Sequence, residues 1–77
     1  MAKKYKARLT KHDAKVGKRV KELRKGLFLT QEKLAEKLKI SSNHLSYIET
    51  GNRRPSLSLA RKIARELKTD LGELFAP

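Results

Sequence analysis

Apolar residues recur at three- and four-residue intervals in five short runs along this chain, and no stretch reads as a strand. Val16, Val20, Leu23 and Leu27 mark a first helix that begins near Thr10 or Asp13 and runs to about Lys25. Leu34, Ala35 and Leu38 mark a second, opened by Thr30 as N-cap, with Glu32 in the first turn where the helix dipole favours an acid. A third opens at Ser41, buries Leu45 and Ile48, and stops at Gly51. After the loop from Gly51 to Pro55, Ser56 caps a fourth helix whose inward stripe is expected to be Leu57, Ala60, Ile63, Ala64 and Leu67. Asp70 then caps a terminal turn containing Leu71, Leu74 and Phe75. Five helices with short connections predict an all-α domain over residues 13–77, preceded by an arm over residues 1–12.

The third helix is unusual on its polar side. At 100° per residue, Ser42, Asn43, Ser46 and Tyr47 fall within a sector of about 140°, opposite Leu45 and Ile48. An ordinary solvated helix face carries Lys and Glu, whereas this sector has no charge and is made of hydrogen-bonding groups. Such groups suit base edges in a major groove: Asn pairs in a bidentate way with adenine, Ser with several partners, and Tyr with a phosphate or a thymine methyl. His44 lies beside the sector, where it could contact a phosphate or stand in solvent.

Charge changes the picture next. The 77 residues carry 20 Lys and Arg against 8 Asp and Glu, a net +12, and the excess is concentrated at the N-terminus. The arm lysines Lys3, Lys4 and Lys6, with Arg8 and Lys11, favour any polyanion through counterion release, so the arm by itself does not separate DNA from RNA or an anionic membrane. Tyr5 and Leu9 are too few apolar residues for an interfacial membrane helix.

Other chemistry is weakly represented. There are no cysteines, and the two histidines, His12 and His44, lack a second ligand at helical spacing, so no metal site is expected. No nucleophile has a base at a recognisable spacing and there is no glycine-rich phosphate loop, so neither an enzyme nor a cofactor is expected. No apolar run approaches the roughly 18 residues of a membrane span, which predicts a cytoplasmic protein with no membrane partner.

From about Val16 to Phe75 the chain resembles the Cro and phage-repressor, or Xre-like, helix-turn-helix family. The matching residues are Arg19, Leu23-Arg24, Leu29-Thr30-Gln31, Leu34-Ala35, Ile40-Ser41, Leu45, Ile48-Glu49, Gly51, Arg54-Pro55-Ser56, Ile63-Ala64, Leu67 and Leu74. The resemblance implies a five-helix, lambda-repressor-like fold and a transcriptional regulator, more specifically a repressor, that binds double-stranded DNA. It implies that Ser42, Asn43, Ser46 and Tyr47 face the groove, that Gln31 donates to a phosphate and braces the reading helix, and that Arg24 and Glu49 form a structural ion pair. Of the loop cations Arg53 and Arg54, it places Arg54 along the minor groove. It further implies a weak homodimer on an inverted-repeat operator, with Leu71, Leu74 and Phe75 as the apolar residues available for pairing.

The chain departs from the family where members often carry glycine: Phe28, Lys39 and Lys68 stand there instead, each costing about 1 kcal/mol if the backbone is left-handed. Gly26 ends the first helix early, and Phe28, within Leu27-Phe28-Leu29, is expected either to close the core or to form part of a partner surface. That run and the basic arm keep open an alternative function, an antitoxin or adaptor that uses the same fold to bind a protein partner. Single-stranded RNA is a third target for the arm.

Overall fold

The computed structural model describes residues 9–77, so the arm residues Lys3, Lys4, Tyr5, Lys6 and Arg8 lie outside the described residues. Five helices follow in order, α1 (Lys11–Gly26), α2 (Gln31–Leu38), α3 (Ser42–Glu49), α4 (Leu57–Glu66) and α5 (Leu71–Leu74), with no strand among the described residues. Each begins where a side chain can take up an orphan N–H group. Thr10, Thr30, Ser41, Ser56 and Asp70 accept from the backbone of Asp13, Lys33, His44, Leu59 and Glu73 at 2.8–3.3 Å. At α1 the cap is reciprocal, because the Asp13 carboxylate accepts the Thr10 N–H at 2.7 Å. Lys11 and His12, assigned to the arm by sequence, are therefore the first turn of α1.

The four longer helices end alike. The chain turns left-handed at Phe28 (φ 59°), Lys39 (φ 61°), Gly51 (φ 80°) and Lys68 (φ 60°). In each case the next N–H reaches back to a carbonyl of the last turn: Leu29 to Arg24, Ile40 to Ala35, Asn52 to Tyr47 and Thr69 to Ala64, at 2.8–3.1 Å. Three of the four positions thus bear a side chain where glycine is favoured. At Gly51 the need for glycine is double, since a Cβ there would stand 2.7 Å from the Ala14 Cα. Gly17 answers a second close approach, because a Cβ on it would come within 2.7 Å of the Glu49 carbonyl oxygen. Through these two contacts α3 lies directly on α1.

The core joins all five helices through Val16, Val20, Leu34, Ala35, Leu38, Leu45, Ile48, Leu59, Ile63, Ala64, Leu67 and Leu74. Leu57 departs from expectation, and Phe28 takes one of the two places expected of it. Leu57, on the first turn of α4, is 61% exposed, and the stripe instead begins at Leu59, one turn before Ile63. Phe28 is 94% exposed: its left-handed backbone directs Leu27 and Leu29 onto the core and leaves the ring outside, so it does not close the core.

Polar bonds fasten the C-terminus. Arg19 Nη1 donates to the carbonyls of Leu74 (3.0 Å) and Ala76 (2.6 Å), and His12 Nε2 donates to the Phe75 carbonyl at 2.9 Å, since a carbonyl oxygen only accepts. These donors sit where the exposed carbonyls of a helix end attract them.

Relieving the left-handed strain should stabilise the domain. Lys39→Gly and Lys68→Gly should each raise the unfolding free energy by about 1 kcal/mol, whereas Lys62→Gly, inside α4, should lower it by about the same amount. Chemical denaturation of the three variants reads both signs.

Candidate nucleic-acid interface

The candidate interface is built around the break between α2 and α3. Lys39 reverses the chain, Ile40 covers the core edge, and Ser41 starts α3. On α3, Leu45 and Ile48 are fully buried, which turns the opposite side outward. Asn43 and Tyr47 are exposed, and Ser42, His44 and Ser46 are half-buried. The polar side-chain atoms of Asn43 and Tyr47 make no hydrogen bond to another described residue. An amide and a phenol with unfilled hydrogen-bonding capacity thus stand on a surface without a charged side chain.

A buried hub holds α3 at its angle. Arg24 Nε and Nη2 bond the two Glu49 carboxylate oxygens at 2.7 and 3.2 Å, and both side chains are almost fully buried. Arg24 Nη1 donates to the Leu29 carbonyl at 2.8 Å, and Gln31 Nε2 donates to Glu49 Oε1 at 3.0 Å. The expected ion pair between Arg24 and Glu49 is therefore present; its carboxylate joins α1, α2 and α3, and its guanidinium adds the α1–α2 turn. Gln31 is half-buried and its amide nitrogen carries a second N–H beyond the one given to Glu49, so bracing and donation to an outside oxygen are compatible.

The loop after α3 is tied back to α1. Arg53 is exposed, but Arg54 is engaged with α1: its Nε and Nη2 bond the two oxygens of Asp13, each at 2.8 Å. Those hydrogen bonds from Arg54 hold the Asp13 carboxyl well below the usual carboxylate range, outweighing the opposite effect of burial, and the Thr10 bonds act in the same direction as Arg54. Arg54 thus ties the loop to α1 while its side chain stays 46% exposed. Of the apolar residues named for pairing, Leu74 is 1% exposed and belongs to the core, which removes it from the surface; Leu71 and Phe75 are half-buried and remain available. They line a shallow apolar groove with Pro55, Leu57 and Ala60. Lys3, Lys4 and Lys6 lie outside the described residues.

Sequence reasoning put Leu57 in the core and gave no role to the Asp13 carboxylate, to Gly17, or to His12 and Arg19 as the residues that hold the C-terminus. For Asp13 a local signal existed, since it stands three residues after Thr10 at capping-box spacing; its partner Arg54 is 41 residues away and had none. Among the described residues no helix is long and apolar enough to cross a membrane, and no His, Asp and Glu group could hold a metal ion.

The helix-turn-helix family (HTH_3) matches residues 20–74 of the chain. An HTH-type transcriptional regulator of Archaeoglobus fulgidus is 37% identical over 57 residues, which cover 74% of this chain and 80% of that protein. Among solved structures, the fold is similar to the restriction-modification controller protein C.AhdI of Aeromonas hydrophila, with a TM-score of 0.80, 33% identity, and coverage of 86% of this chain and 100% of that one. It is also similar to SinR, the master regulator for biofilm formation, in a complex with DNA, with a TM-score of 0.72, 30% identity, and coverage of 77% of this chain and 95% of that one.

Removing the shared carboxylate should be costly. Glu49→Ala leaves a buried guanidinium and an amide without their acceptor, and should lower the unfolding free energy by about 3 to 5 kcal/mol, read as a fall in the urea midpoint.

Proposed function

The chain belongs to the helix-turn-helix family of DNA-binding transcriptional regulators, and we propose that it is a repressor that reads an inverted-repeat operator in double-stranded DNA as a weak homodimer. The observation that carries this reading is the outward face of α3, where exposed Asn43 and Tyr47 lack partners among the described residues and no charge intervenes. Inserted in a major groove, Ser42, Asn43, Ser46 and Tyr47 meet base edges, with Asn43 suited to adenine. Gln31 at the start of α2, His44 at the side of that sector, and Arg53 and Arg54 in the loop that leaves α3 supply contacts to the DNA backbone. Lys3, Lys4 and Lys6 add affinity that is independent of sequence.

Support for duplex DNA comes from SinR, a similar fold solved with DNA. One eight-residue reading helix spans few base pairs, and a two-fold dimer that spaces two such heads roughly 34 Å apart gains both affinity and specificity. The apolar groove of Leu57, Leu71 and Phe75 is the surface proposed for pairing. Repression is the proposed consequence of operator occupancy at a promoter. The exposed ring of Phe28 favours a second reading, in which the α1–α2 turn binds a protein partner, as an antitoxin or adaptor would.

Selection of bound duplexes from a random pool at near-physiological salt tests the proposal. Enrichment of an inverted repeat is expected, with Asn43→Ala costing about 1 to 3 kcal/mol on the selected site and relaxing one base position. Binding without enrichment would contradict operator reading and shift weight to the partner role.

A further inference from the structure

Among the described residues, Asp13 is the most heavily bonded carboxylate outside the α3 brace. It is 8% exposed, yet three groups converge on it: the Thr10 N–H at 2.7 Å, the Thr10 hydroxyl at 3.1 Å, and the Arg54 guanidinium in a two-point grip. Its backbone belongs to α1, which is locked against α3 by the close contacts at Gly17 and at Ala14 with Gly51. A carboxylate so fixed makes a rigid mount, and what it mounts is a long side chain from the loop that leaves the reading helix.

That side chain comes from the loop that directly follows α3, and in a helix-turn-helix the segments flanking a helix seated in the major groove are the ones that can reach the bounding phosphates. Arg54 stands five residues beyond Glu49, and its side chain is 46% exposed while it grips Asp13. An arginine left to rotate would lose conformational freedom on meeting a phosphate. Here that freedom is already removed in the protein without DNA.

Resting on the DNA-binding reading above, we infer that Asp13 is a positioning residue for DNA: it presets Arg54 for a phosphate contact at the wall of the groove occupied by α3. Asp13 itself is buried and touches no DNA. Its negative charge is met by Arg54, so it steers the guanidinium without presenting a bare anion to the duplex.

A double-mutant cycle tests this, with affinities measured by fluorescence anisotropy on a labelled duplex of the selected sequence and on a random-sequence duplex of equal length. Asp13→Asn keeps an oxygen for the Thr10 N–H and loses the charged grip on Arg54. It should weaken binding to both duplexes by about three- to tenfold, the penalty for ordering one long side chain at an interface, although it removes an acidic group and so raises the protein's net positive charge. In an Arg54→Ala background the same substitution should not weaken binding further. Arg54→Lys, which preserves charge but cannot be gripped at two points, should also weaken binding. That variant alters a half-exposed loop side chain and leaves α1 intact, so its result does not depend on how well Asp13→Asn preserves the start of the helix. Asp13→Asn that leaves binding unchanged or tighter, or that weakens it equally with and without Arg54, would overturn the role of Asp13 alone. Wild-type protein that binds neither duplex would overturn the DNA reading beneath it.

Discussion

The orientation of the reading helix depends on one buried ion pair. Arg24 and Glu49 meet at 2.7 Å between the end of α1 and the end of α3, and the same guanidinium and carboxylate also hold the Leu29 carbonyl and the Gln31 amide. Such a pair adds little net stability over a well-packed apolar contact, because both charges leave water, but losing one partner strands the other. Its value lies in direction. An apolar contact would let α3 roll, whereas a two-point grip on a carboxylate near its last turn sets which residues face outward.

The strained turn at Phe28 follows from that pair. Arg24 accepts the Leu29 N–H through its backbone carbonyl and donates to the Leu29 carbonyl through Nη1, so residues 24 and 29 are bonded in both directions. Only a left-handed residue between them brings Leu29 back onto Arg24, and here that residue is phenylalanine at φ 59°. The whole of α1 works in the same manner. Asp13, Gly17 and Arg24, spaced by four and seven, lie along one side and meet the loop after α3, the C-terminal turn of α3 and Glu49. His12 and Arg19, also seven apart, lie along another and hold the carbonyls after α5. One helix therefore serves as the spine against which both the reading helix and the C-terminus are set.

Much of this was legible in the sequence because it is local or periodic. The caps of α2 to α5, the stripes of α1 to α3, the stop at Gly51 and the uncharged sector of α3 follow from spacing alone, and the left-handed sites at Phe28, Lys39 and Lys68 and the pair of Arg24 with Glu49 follow from resemblance. What escaped is what distance along the chain conceals. Leu57 and Leu59 both fit a helical stripe, and only the packed structure separates the buried Leu59 from the exposed Leu57. Arg54 reads as a loop cation until Asp13 is seen beside it. Gly17 has an ordinary helical backbone, and only the carbonyls of the opposing helix reveal why it carries no side chain.

The central claim is that α3 presents Ser42, Asn43, Ser46 and Tyr47 to base edges while Arg24 and Glu49 hold it in place. The most direct measurement is an NMR titration of isotope-labelled protein with a selected duplex, followed by intermolecular contacts from α3 side chains to base protons. The account predicts contacts from Asn43 and Tyr47 to major-groove protons, with the Arg24 side-chain signals unchanged in environment. Contacts confined to the arm and the α3–α4 loop, with the outward face of α3 unperturbed, would contradict it.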